Sequence, residues 1–258
     1  MVELGLNGRT AVVCASTSGL GRAIAEALSD EGANVVVCGR RGSVADNIAS
    51  GLPRAVGFGV DLLAPASGQR LLAAAQKAFG PADIVVLNGP GPGPGRVTEI
   101  QEQELDQAVG SLVTAHHRLV TLALPHMREQ GWGRVLAVGS SAVLTPIPDL
   151  ALSGIGRAAL AAYLKALATE VAADGVTINM LLPGRIVTER VQQIDAARAA
   201  QSGRTLSAEQ AESVARIPMN RYGRPAELAA IAAFLCSDLA SYITGTLVRC
   251  DGGLSPVV

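Results

Sequence analysis

Six short runs of β-branched and aliphatic residues, separated by stretches of helical composition, constrain this chain more than any other feature. They are TAVVCA at 10–15, NVVVCG at 34–39, DIVVLN at 83–88, RVLAVG at 134–139, VTINML at 176–181 and TLVRCD at 246–251. Runs that are apolar without alternation belong to strands buried on both faces, and strands joined through helices run parallel. The expectation is one α/β domain over residues 1–258, a doubly wound parallel sheet in a three-layer α/β/α sandwich.

Composition supports such an interior and excludes some partners. Hydrophobic residues make up 49% and aromatics 3%, so the core must be built from Ala, Val, Leu and Ile. Lys and Arg total 21 against 22 for Asp and Glu, a net charge of −1 without runs of like sign. Nucleic acid and anionic membrane are therefore poor partners, and a small-molecule substrate is the better expectation. The opening MVELGLNGRT lacks a basic flank with an apolar core, and no apolar run approaches the roughly 18 residues of a spanning helix, so a cytoplasmic location is expected. Cys14, Cys38, Cys236 and Cys250 show no CxxC spacing, and the first two fall inside strand-like runs, which argues for buried thiols and against a metal site.

Three other segments stand out. From Ala151 to Ala173 the composition is helical, with small residues on more than one face, suited to close helix contact and to a subunit interface. Residues 89–95 read GPGPGPG, a loop in which three prolines remove donors. Residues 188–221 are polar and too long for an ordinary connection of about 2–6 residues, so a helical insertion covering the ligand mouth is expected there.

The chemistry-bearing motifs follow the strands. After the first comes Cys14-Ala15-Ser16-Thr17-Ser18-Gly19-Leu20-Gly21, opening directly into a helix, where free backbone N–H groups can hold phosphate. The second strand ends in Gly39-Arg40-Arg41 with no acidic residue between Ala33 and Ala45. A carboxylate there would serve the ribose hydroxyls of NAD, whereas Arg40 suits the 2′-phosphate of NADP.

Together with what lies downstream, these residues resemble the short-chain dehydrogenase/reductase family, in its 3-oxoacyl-[acyl-carrier-protein] reductase-like branch, from the first strand through Gly253. The resemblance implies a Rossmann-like fold and a nicotinamide cofactor, NADP by the Arg40 argument, with NAD as the other candidate. It assigns to cofactor binding Ala15, Ser16, Ser18, Gly19, Leu20 and Gly21 of the altered TGxxxGxG motif, and Arg40. Further along it adds Asp61 and Leu62, Asn88 and Gly89 where the family has NNAG, and Pro183, Gly184, Ile186 and Thr188 of the segment NMLLPGRIVT. The blocks from Tyr222 to Glu227, Phe234 to Asp238 and Ile243 to Gly253 stand at the family's intervals.

At the catalytic positions the match fails. The family's tyrosine, lysine, serine and helix asparagine fall on Ser153, Arg157, Ser140 and Ser111, so one of four is kept. A phenol can be tuned toward neutrality by an adjacent ammonium, but an aliphatic hydroxyl is a far weaker acid. Arg157 keeps the positive charge and can still bind ribose. Tyr163 and Lys165 lie almost three turns beyond Ser153 and are expected to pack elsewhere. His116 and His117, adjacent on a helix, are expected to be structural. Two readings follow. One is an NAD(P)(H)-dependent oxidoreductase acting on a carbonyl or alcohol with atypical proton transfer. The other is a catalytically silent member, either a cofactor sensor or a non-catalytic subunit. Under both, the resemblance implies an oligomer, a homotetramer or homodimer, with a hetero-oligomer as the alternative.

Overall fold

The computed structural model describes residues 3–257. Seven parallel strands form one sheet in the order β3-β2-β1-β4-β5-β6-β7: β1 Thr10–Val13, β2 Asn34–Gly39, β3 Ala55–Gly59, β4 Ile84–Leu87, β5 Gly133–Val138, β6 Val176–Pro183 and β7 Leu247–Cys250. Six coincide with the sequence runs within one or two residues at each end. The third, AVGFG, was absent from that reading because two glycines interrupt the apolar run. Gly57 is required there, since a Cβ would come within 2.3 Å of the Asp46 backbone nitrogen on the covering helix.

Side chains alternate between two cores. Ala11 and Val13 of β1 join one with Ile24, Leu28 and Leu228, whereas Val12 and Cys14 join the other with Leu71, Leu119 and Leu160. That double burial is why the strands read as continuous apolar runs. The first face is covered by α1 Gly19–Asp30, α2 Gly42–Ser50 and α9 Pro225–Leu235. The second is covered by α3 Ser67–Ala78, α5 Ala115–Glu129 and α6 Ala151–Val171. All four cysteines are free thiols, three of them buried, and the described residues hold no His, Cys, Asp and Glu cluster able to bind a metal. No helix of the described residues is long and apolar enough to cross a membrane.

Residues 188–221 fold mainly as two helices, α7 Glu189–Ser202 and α8 Leu206–Ala215, divided at Gly203, which caps α7 in the left-handed region at φ 67°. The helix α4 Glu102–Val109 runs into α5 through a π-helical turn, Gly110–Thr114. The connection from β3 to β4 passes both β2 and β1 and reverses the winding, so a crevice opens at the carboxyl ends of β1 and β4. Such switch points are where open parallel sheets receive their ligands.

Candidate active site

The turn after β1 is held from both sides. The buried Ser16 hydroxyl donates to the Val13 carbonyl at 2.7 Å and accepts from the Cys38 amide at 2.9 Å, so it ties β1 to β2 and is spent within the protein. Asn88, following β4, directs its amide at the Cys14 and Ala15 carbonyls, each at 3.3 Å. A Cβ on Gly21 would stand 2.5 Å from the Ala15 oxygen and 2.6 Å from Asn88 Nδ2, so only glycine fits. Ala15, where the family has glycine, sits at φ 47°, a left-handed conformation that an L side chain adopts at a cost of about 1–2 kcal/mol.

Ser18 starts α1 without a side-chain cap. The amides of Gly19, Leu20 and Gly21 have no acceptor among the described residues, as expected of a first helical turn. Thr188 caps α7 by accepting from the Val191 amide at 3.3 Å, and its methyl lies 3.8 Å from where a Gly19 Cβ would be. Three loops distant in sequence therefore meet around a row of free amides, which form an anion-binding end with the helix dipole behind them.

The remaining expected cofactor residues follow the carboxyl ends of β2, β3, β4 and β6. Gly184 packs so closely on Asp251 that a Cβ would meet its Cα at 2.7 Å, and it continues from Pro183, which pairs with Cys250. Ile186 is buried and bridges to Gly223. Asp61 caps the Leu63 amide at 3.0 Å, and the Leu62 carbonyl accepts from Ser67 at 2.9 Å. Arg40 is exposed, while Arg41 places Nη2 3.3 Å from the Thr17 carbonyl, against the Gly-rich turn. Sequence reasoning centred on Arg40 and left Arg41 without a role.

At the catalytic positions, Ser140 opens the loop after β5 and accepts from the Ala142 amide at 3.1 Å, leaving its proton free to donate. Arg157 donates through Nη1 to the Val138 carbonyl at 2.7 Å and through Nε to Ser153 Oγ at 3.2 Å, so Ser153, Arg157 and the end of β5 form one unit. Burial, and secondarily the charge of Arg190, pushes the Arg157 guanidinium down to about 10. Ser111 lies in the π-helical turn and its hydroxyl donates to the Ala108 carbonyl at 3.1 Å. A π-turn often marks a functional position, and no residue pattern signals one beforehand.

The two histidines diverge. Buried His116 pairs Nδ1 with the Leu112 carbonyl at 2.9 Å and brings Nε2 to 3.8 Å from the place of a Gly89 Cβ, so it supports the loop that follows β4. His117 faces outward, with Nδ1 3.0 Å from the Tyr163 hydroxyl. Tyr163 thus packs on α5, and Lys165 lies against Gly245, so neither replaces the missing phenol and ammonium.

A glycine-rich turn of free amides at the switch point of a seven-stranded parallel sheet, with a serine following β5, has the layout of a dinucleotide-binding scaffold. Residues 14–255 match the family described as Enoyl-(Acyl carrier protein) reductase. The chain is 32% identical over 253 residues to a D-beta-hydroxybutyrate dehydrogenase of Cupriavidus necator, covering 96% of this chain and 98% of that one. It is 35% identical over 256 residues to dehydrogenase/reductase SDR family member 4 of Bos taurus, covering 96% and 88%. The structure superposes at TM-score 0.93 on L-sorbose reductase from Gluconobacter frateurii, solved with NADPH and L-sorbose, at 28% identity over the whole of both chains. The chain belongs to the short-chain dehydrogenase/reductase family of oxidoreductases.

Proposed function

We propose that this protein is an NADP(H)-dependent oxidoreductase that interconverts a carbonyl and an alcohol without a tyrosine acid. The observation that carries the reading is the row of unpaired amides at Gly19, Leu20 and Gly21, clamped by Asn88 and faced by Thr188. Free donors at a helix start reached through a glycine-rich turn after a strand are the arrangement that receives a phosphate. The sorbose reductase of the same fold was solved with NADPH, which agrees with the absence of a carboxylate near Arg40 and with Arg41 lying against the turn.

When bound, the cofactor supplies or accepts hydride. Ala15, Ser18, Gly19, Leu20 and Gly21 would hold its phosphates, Arg40 and Arg41 the 2′-phosphate, Asp61 and Leu62 the adenine side, and Asn88, Gly89, Pro183, Gly184, Ile186 and Thr188 the nicotinamide half. Ser140 orients the substrate oxygen with its free proton. Neither Ser153 nor Arg157 is a useful acid near neutrality, so the proton comes from water or a substrate group positioned by Ser140 and Ser153. Loss of such an acid commonly removes only about 10²–10⁴-fold of rate, which leaves hydride transfer viable in a well-positioned site. The helices of residues 188–221 serve as the substrate lid.

Titration with NADPH and with NADH, followed by cofactor fluorescence, tests the reading. Saturable NADPH binding tighter than NADH binding is the expected result, and binding of neither overturns it. The second reading, a catalytically silent protein, is favoured by the Arg157 fork, which already joins Ser153 to Val138 where the family's reacting pair would stand. Carbonyl reduction that emerges only in the double variant Ser153→Tyr with Arg157→Lys would establish it. Robust turnover by the parent that falls in Ser140→Ala would exclude it.

A further inference from the structure

Two guanidinium groups flank consecutive residues of the GPGPGPG loop. Arg157 Nη2 lies 3.6 Å from where a Gly91 Cβ would stand, and Arg190, in the first turn of α7, donates to the Pro92 carbonyl at 3.0 Å. Among the described residues neither has a carboxylate within 4.0 Å, although nine other arginines do. The loop itself contains no acidic residue. The nearest acids in sequence, Asp149 and Glu189, are exposed and pair with neither arginine.

Arg157 is half-buried and Arg190 is exposed, and a partly desolvated guanidinium beside a second cation is stabilised by an anion that both can reach. Arg157 uses Nε and one Nη1 proton internally and retains three N–H donors, both of those on Nη2 among them. Arg190 uses one. Arg157 reaches the carboxyl end of β5 at Val138, two residues before Ser140, and Arg190 reaches the loop after β4, whereas the cofactor's phosphates would be held at the Gly-rich turn after β1. A planar guanidinium with free donors recognises the oxygens of a carboxylate or phosphate in bidentate fashion.

We propose that Arg157 and Arg190 form an oxyanion-recognition site for the substrate, so that the carbonyl compound or alcohol turned over beside Ser140 carries a carboxylate or phosphate group. The inference rests on the reductase reading above and names its substrate class. Arg190 arrives with α7, so a bound oxyanion also draws the lid onto the Gly-Pro loop. The replacement of lysine by arginine at 157 then exchanges a point charge for a fork suited to two oxygens.

The test uses the NADPH-loaded protein and two matched pairs of probes, acetoacetate with methyl acetoacetate and dihydroxyacetone phosphate with dihydroxyacetone. Binding is read from cofactor fluorescence and reduction from NADPH consumption. We expect one anionic probe to bind about tenfold or more tightly than its neutral partner, the order expected of a charge-assisted hydrogen bond. The pair that shows the preference distinguishes carboxylate from phosphate. The preference falls below about threefold in Arg190→Gln and in Arg157→Met. Arg190 is on a lid helix, so its variant keeps the test sound should Arg157→Met fold poorly. Equal binding within both pairs, a preference that survives both substitutions, or binding of none of the four overturns the proposal. The same titrations by calorimetry on cofactor-free protein separate the two claims. Arginine-dependent anion binding without NADPH binding keeps the oxyanion site and removes the reductase reading, whereas NADPH binding without anion preference does the reverse.

Discussion

Replacing Arg157 with methionine separates the needs of the fold from the needs of the site. Burial brings the guanidinium well below its ordinary value, down to about 10. At about 1.4 kcal/mol per pH unit between the two values, the fold bears roughly 3 kcal/mol to keep that charge at neutral pH. Methionine, unbranched and similar in length, removes this burden and fills comparable space. It also forfeits the bonds to the Val138 carbonyl at 2.7 Å and to Ser153 at 3.2 Å, and an orphaned buried acceptor costs about 1–3 kcal/mol. The opposing contributions nearly cancel, so cofactor-free Arg157→Met is expected within about 1–2 kcal/mol of the parent in urea unfolding at pH 7.5, with an unchanged m-value. The pH dependence supplies a second check. With the folded value below the unfolded one, the unfolded chain binds more protons above about pH 10, so the parent gains stability as pH rises through about 10 and the variant does not gain with it. A loss above about 3 kcal/mol at pH 7.5 would refute the reasoning, because it would make Arg157 a structural strut whose removal leaves the fold incomplete.

Three further outcomes are expected. Gly21→Ala pushes a methyl into the Ala15 carbonyl and the Asn88 amide, destabilising by about 1–3 kcal/mol and abolishing NADPH binding; urea midpoints and cofactor fluorescence check both, and an unchanged midpoint would contradict the close approach. His116 is held below its ordinary value by burial, so the parent loses stability as pH falls through 6.5 toward the folded value. Unfolding midpoints at pH 5.0 and 7.0 should therefore differ less in His116→Gln than in the parent. Asp83→Ala strips the acceptor from the buried Thr10 amide at 2.8 Å and from Gln130 at 2.8 Å, and should cost about 2 kcal/mol without altering cofactor affinity, since it lies at the amino end of the sheet.

The altered Gly-rich turn, Ser140 and the Ser153/Arg157 substitution were all legible in the sequence, because each depends on local spacing after a strand or along one helix. Arg41, Arg190 and His116 were not. Arg40 and Arg41 are neighbours with the same side chain, and only the fold decides which guanidinium falls on Thr17. Arg190 looked like one charge among many in a polar insertion, and its role follows from α7 coming back onto a loop 98 residues earlier. His116 was read with His117 as structural, and its approach to Gly89 depends on how the π-turn leads into α5.

By itself the sequence determined the alternation of strand and helix, and with it a parallel sheet buried on both faces, because apolar runs of this length have no other stable place in water. It also determined which catalytic groups are present, since a serine cannot supply the acidity of a phenol in any fold. Tertiary structure alone decided which charges meet. Strands β4, β5 and β6 lie side by side, so the segments that follow them meet, and Arg157 and Arg190 share a loop with no carboxylate of the described residues beside either. Coulomb and desolvation energies depend on separation in space and on the burial around it, and neither is written in the order of residues.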